Sequence, residues 1–254
     1  MRKNIIAVIM LGILLATCNA YAIVVNGYLD DWGVAPGAYG SSQWTPSNGA
    51  TYTVEDQQGG IGTRLDPGYG GQLFDTEAMY YKKEGGTIYL AIVTGHPSAG
   101  VLSGGIQYYP GDVYLNFGNA VYGIQVLDPV TKQLSGKIYK NAAWNVSPYW
   151  GNITTIQDGT GTSQYQLTSD EFVYDHTYYG SGDYNDHYVM EFGIPDYYFG
   201  DDWENGGTIY WTETCGNDYI QMNIAHTPEP ATLSLLGLGL AGLFGFRRKR
   251  RLYR

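Results

Sequence analysis

The sequence predicts an all-β fold: an antiparallel β-sandwich, jelly-roll-like, between an N-terminal signal helix and a short C-terminal transmembrane helix. Two observations predict the sandwich. Short runs of aromatic and β-branched residues are separated by Gly, Asn, Asp and Pro clusters, the pattern of strands and turns. Between the two ends no segment sustains a helical period, so sheet must pack on sheet. A third observation, an apolar segment near each terminus, divides the chain into an N-terminal segment (1–22), a β-sandwich domain (23–226) and a C-terminal tail (227–254).

The N-terminal segment has a basic start, Arg2 and Lys3, an apolar stretch from Ile5 to Ala16, and Ala20-Tyr21-Ala22. Small residues at −3 and −1 suit signal peptidase, so cleavage is expected after Ala22. The alternative is lipoprotein processing at Cys18, within Leu15-Ala16-Thr17-Cys18, where Thr17 fits a lipobox poorly. Removal of the signal leaves Cys215 as a lone cysteine, which excludes an intrachain disulfide. Without a recognisable Cys-His arrangement it reads as a small buried hydrophobe.

The strands follow in order. Ala50 to Glu55 is the one strand-like stretch in a Gly-, Ser- and Tyr-rich passage from Gly33 to Gly71. Glu77 to Lys82 and Thr87 to Thr94 flank a Glu84-Gly85-Gly86 turn, where glycine accepts the positive φ that hairpin turns require. In the second of these, Ile88, Leu90 and Ile92 alternate with Tyr89, Ala91 and Val93, so both faces should be covered. Val113–Phe117, Tyr122–Leu127, Lys137–Tyr139 and His187–Phe192 come next, then Thr208–Glu213 and Tyr219–Ile224 around a Cys215–Asp218 turn. PDYYFG, Pro195 to Gly200, allows at most one helical turn, with Pro195 in a first-turn role.

Charge narrows the partners. From Ile23 to His226 there are 23 Asp plus Glu and six Lys plus Arg, a net charge of −17. Such a surface repels nucleic-acid phosphates, whose binding depends on Lys and Arg. Cations and neutral ligands remain, and the same acidity also keeps an exported protein soluble.

Twenty-five tyrosines and six tryptophans suggest a sugar-binding surface, because sugar C–H faces stack on rings while hydroxyls bond polar tips. The densest group, NAAWNVSPYWGN, offers Trp144, Tyr149 and Trp150 with Asn145 in an expected loop; the competing reading is that such rings fill the core. Calcium ligation is a further candidate at Asp30 and Asp31, or in the acidic stretch YDHTYYGSGDYND with Asp175, Asp183 and Asp186. Calcium takes six to eight hard oxygens and glycine lets a loop wrap around it; alternatively Asp30 simply caps a turn. The four histidines form no short metal motif, and neither a nucleophile elbow nor a phosphate loop is present, so no catalysis is expected.

VVNGYLDDWG (Val24–Gly33) resembles the opening of family 9 carbohydrate-binding modules and the related DOMON-like sandwiches. EAMYYKKEGGTIYLAIVTG resembles their hairpin, and HYVMEFGIPDYYFG their Glu-x-x-Ile-Pro segment, with Glu191, Ile194 and Pro195 in the matching positions. The resemblance implies a sandwich that binds carbohydrate.

The tail has Pro228-Glu229-Pro230, sixteen uncharged residues from Ala231 to Phe246, and five consecutive basic residues. As a helix that apolar run is about 24 Å long, short of a bilayer core of about 30 Å; snorkelling arginines can cover the difference. The order of parts resembles the PEP-CTERM sorting tail of Gram-negative exported proteins. That resemblance implies recognition by exosortase, transient membrane residence, and a final place at the cell surface or in a polysaccharide matrix. A permanent single-span anchor is the alternative, and a structural or adhesive matrix protein, or less readily a glycan hydrolase, are the rivals to a polysaccharide binder.

Overall fold

The structure, a computed structural model, describes residues 22–34, 44–55, 71–178 and 186–225, with the side chains of 176–178 and 186 excepted. The predicted signal helix and transmembrane helix, and the Pro-Glu-Pro tripeptide, lie outside the described residues. Among those described, no helix is long and apolar enough to cross a membrane.

The strands are β1 (Thr51–Val54), β2 (Thr76–Glu84), β3 (Thr87–Thr94), β4 (Val101–Ser103), β5 (Ile106–Tyr108), β6 (Val113–Asn116), β7 (Val121–Leu127) and β8 (Leu134–Lys140). They continue as β9 (Trp144–Val146), β10 (Ile153–Ile156), β11 (Thr162–Gln166), β12 (Phe172–Tyr178), β13 (Asp186–Pro195), β14 (Gly207–Thr212) and β15 (Tyr219–Ile224). One sheet has the order β1-β2-β3-β13-β12 and the other β11-β8-β7-β6-β14-β15, while β4/β5 and β9/β10 form two-stranded ribbons. Every pairing is antiparallel. The all-β sandwich expected from the strand pattern is what forms.

Alternation decides which side chains enter the space between the sheets. Ile88, Leu90 and Ile92 of β3 and Met190, Phe192 and Ile194 of β13 meet Val113, Leu115, Tyr122, Ile124, Ile209 and Trp211 from the opposite sheet. At roughly 25 cal/mol per Å² of apolar surface removed from water, this layer dominates the stability. Gly85 and Gly86 both hold positive φ, 58° and 83°, so the β2–β3 turn is built as its glycines predict.

The opposite face of the first sheet is also buried. Ala78, Tyr80, Ala91, Val93 and Val189 pack under Ile23, Leu29, Trp32, Val34 and Trp44. The VVNGYLDDWG stretch is therefore a strap laid across the sheet. Its clasp is Glu191, fully buried on β13: Oε2 accepts the N–H groups of Asn26 (2.8 Å) and Gly27 (2.9 Å), and Oε1 accepts the Trp32 indole N–H at 2.7 Å. Gly27 has φ +79°, and a Cβ there would stand 3.1 Å from Cβ of Asp175. Burial pushes the Glu191 carboxyl up to about 7, against the three N–H donors that pull it down.

Several local expectations need correction. The acidic stretch expected as a loop from Tyr174 begins as strand: Asp175 lies on β12, paired in register with Val189. The ring-rich stretch expected as a loop starts with β9, because Trp144 and Val146 pair with β10. Pro195 ends β13 and flanks, rather than enters, the 3-10 turn Asp196–Phe199.

Candidate functional site

One end of the sandwich gathers the turn before β2, the β4/β5 ribbon, the β9–β10 turn and the β14–β15 turn. The β9/β10 ribbon is clamped over β7, where Gly123 makes room: a Cβ there would lie 2.7 Å from Ile156 Cδ1 and 2.8 Å from Trp144 Cζ2. Asp112, buried but 6% exposed, joins ribbon to sheet, accepting the N–H groups of Val126 and Ile156 at 2.8 Å each. Burial raises its carboxyl to about 7. The 147–152 turn then docks on the 213–218 turn. Ser147 Oγ donates to the Cys215 carbonyl, and Asn152 Nδ2 donates to the Gly216 carbonyl at 2.8 Å.

This docking forms an open cleft of about 290 Å³. Its aromatic lining is Phe74, Tyr108, Tyr149 and Trp150, with Ser103, Cys215 and Asn217 supplying the remainder. Phe74 meets Tyr108 edge-on at 5.7 Å between centroids. Tyr149 is 57% exposed, so its ring face is open to a ligand. Burial first, and then the neighbouring Glu213, push the Cys215 thiol up to about 12. At neutral pH it carries no thiolate, the form a nucleophile needs.

Behind the cleft is a polar layer reached through adjacent residues, Phe74 leading to Asp75 and Asn217 to Asp218. Carboxylate oxygens of Glu55, Asp75 and Asp218 lie within 4.8 Å of one another. Asp218 Oδ2 accepts the Thr76 N–H (2.7 Å) and Oγ1–H (2.8 Å), tying the two turns together. Burial raises Asp218 to about 6 and Glu213 well above its ordinary value. Next to them Glu77 Oε1 meets His187 Nε2 at 3.0 Å and accepts Gln72 Nε2–H at 2.8 Å. The three carboxylates are suited to a hard cation; with one oxygen from each, at least three of the six to eight positions calcium fills would need other oxygens.

The residues singled out in the sequence separate. Tyr149 and Trp150 line the cleft. Asn145 lines a neighbouring cavity. Trp144 is a packing residue, edge-on to Tyr114 at 5.2 Å. Asp30 is exposed, and its carbonyl accepts the Gly33 N–H in a turn. Asp31 Oδ2 accepts the Val24 N–H at 2.6 Å, so it braces the strap. Among the described residues neither joins a group of three metal-ligating side chains. Asp183 and the side chain of Asp186 lie outside the described residues. Phe74, Tyr108 and Asn217, and the Glu55–Asp75–Asp218 group, escape a reading of the sequence because they come from separate turns with no spacing motif.

Pro228-Glu229-Pro230, an uncharged run and a basic cluster stand in order behind this domain. Residues 226–251 match the PEP-CTERM protein-sorting motif. The PEP-CTERM motif implies processing by exosortase and export to the envelope or surface of a Gram-negative bacterium. No curated protein and no solved structure matches the chain.

Proposed function

We propose that the sandwich is a non-catalytic carbohydrate-binding domain, freed from its tail at the cell surface, where it holds exopolysaccharide in the aromatic cleft. The observation that carries this reading is the convergence of Tyr149 and Trp150 with Tyr108 and Phe74 beside Ser103 and Asn217. Rings offer stacking faces for sugar C–H groups, while the hydroxyl and amide groups serve the sugar hydroxyls. The resemblance to family 9 carbohydrate-binding and DOMON-like modules supports it as well. Two of the three segments that carry the resemblance, Val24–Gly33 and His187–Gly200, are joined in the fold through Glu191. In this reading signal peptidase and exosortase are processing partners, nucleic acid is not a ligand, and a cation at Glu55, Asp75 and Asp218 would brace the cleft without entering any reaction.

The test is retention of the exported protein on a panel of immobilised polysaccharides, with and without calcium. Retention on at least one glycan, weakened about tenfold in Tyr149→Ala, is expected; a stacking contact of 1.4 kcal/mol corresponds to that factor. No retention on any glycan would remove the proposal. An adhesive, protein-binding role is favoured by one feature, the β4/β5 ribbon, which leaves Leu102 69% and Ile106 45% exposed. Concentration-dependent light scattering that disappears in Leu102→Ser would support that role instead.

A further inference from the structure

Beside the cleft is a second cavity, of about 190 Å³, lined by Tyr109, Asp112, Lys132, Asn145, Thr155 and Asp158 among others. The two share a wall. Tyr108 lines the cleft and Tyr109 the cavity; Cys215 lines the cleft and Thr214 the cavity. The wall is fastened by reciprocal bonds, Tyr109 N–H to Thr214 Oγ1 at 3.0 Å and Thr214 N–H to the Tyr109 carbonyl at 2.9 Å. The β9 ribbon reaches both spaces, with Asn145 in one and Tyr149 in the other.

Lys132 distinguishes the cavity. Lys82, Lys83, Lys137 and Lys140 are each within 4.0 Å of a carboxylate. Among the described residues Lys132 is the lysine without such an ion pair; its Nζ sits 4.8 Å from the centroid of Tyr109. It is held there on a backbone with φ +58°, a conformation unfavourable for a lysine. In the same lining, each oxygen of Asp112 accepts one backbone N–H and keeps a further lone pair. Asn145 Nδ2 donates to Thr155 Oγ1 at 3.0 Å, which fixes the orientation of the amide. The lining thus combines two carboxylates with an ammonium, an amide and a ring. That set suits vicinal hydroxyls, which donate to Asp112 and Asp158 while accepting from Lys132 and Asn145. Two acids against one base disfavour uronates and sulfated sugars.

We infer that this cavity is a second subsite, taking one neutral pyranose unit of the glycan whose neighbouring units occupy the aromatic cleft. The inference rests on the cleft reading and adds a consequence: affinity depends on chain length. The probes are cello-, xylo- and manno-oligosaccharides from disaccharide to octasaccharide, titrated calorimetrically into the exported protein. Lys132→Gly relieves the positive φ and Asn145→Ala changes an exposed residue, so both variants should fold; thermal melting checks this. Each should bind the octasaccharide about tenfold more weakly than wild type, a loss of 1.4 kcal/mol, with disaccharide binding unchanged. Tyr149→Ala should weaken both. Equal octasaccharide affinity in wild type, Lys132→Gly and Asn145→Ala would overturn the second subsite and leave the cleft reading standing. Preference of the wild type for oligouronates would overturn the neutral-sugar assignment. No binding of any series would overturn the cleft reading and this one with it.

Discussion

Glu191 accepts the indole N–H of Trp32 at 2.7 Å across 159 residues of sequence. That bond, with the two backbone bonds beside it, holds the N-terminal strap on a sheet face that would otherwise expose Tyr80, Val93 and Val189. Glu191→Ala leaves three N–H donors without their acceptor at about 1–3 kcal/mol per buried group. The variant should unfold at least about 3 kcal/mol more easily in urea, with Trp32 fluorescence reporting release of the strap. A loss under about 1 kcal/mol would show that the clasp is dispensable.

Stability should depend on pH in a direction set by buried acids. Burial raises Asp112 and Glu191 to about 7 and Asp218 to about 6, and lifts Glu213 well above its ordinary value. Each folded value exceeds the unfolded one, so the folded chain retains protons that the unfolded chain releases. Their contribution is complete below the unfolded carboxyl values and is lost as pH rises through 6 to 7. His96 acts oppositely: burial lowers it to about 4, so its contribution falls as pH drops from 6.5 toward 4. With four such acids set against one histidine, thermal melts should peak near the unfolded carboxyl values, about pH 4, and fall by several degrees by pH 8. Glu191→Gln should flatten that fall; a melting point rising from pH 5.5 to 8 would contradict the assignment.

The fit of the β9/β10 ribbon depends on the missing side chain at Gly123. Gly123→Ala places a methyl 2.7 Å from Ile156 Cδ1. Overpacking of this kind costs about 1–3 kcal/mol. Because the ribbon carries Tyr149 and Trp150, glycan retention should fall too. Shortening the opposing side chain in Gly123→Ala/Ile156→Val should recover part of the loss, giving a double-mutant coupling of about 0.5 kcal/mol or more. Additive effects would mean that the ribbon adjusts without strain.

The sorting tail can be tested by fractionation. Glu229→Ala should leave export intact while uncut precursor accumulates in the inner membrane, detected by its larger mass on immunoblots. A variant that matures and leaves the membrane as wild type does would show that the Pro-Glu-Pro centre is not read.

How far the sequence reached differs by element. Thr87–Thr94 was readable to the residue because its alternation and the Gly85-Gly86 turn are local signals. β4, β5 and β11 carry weak alternation and many exposed residues, so nothing in composition separates them from loop. Tyr149 and Trp150 line the cleft, but Trp144, singled out in the same stretch, packs over β7, where Gly123 leaves a slot for its ring.

Local chemistry, then, determined the sandwich class, the acidic surface and the sorting tail. Each depends on residue type and order within a few positions. The tertiary structure decided the cleft, the second cavity and the Glu191 clasp. Their members are separated by scores of residues, and the clasp binds mostly backbone N–H groups, which every non-proline residue carries. Sequence can show that rings and carboxylates are present; packing one sheet on another chooses which of them face each other.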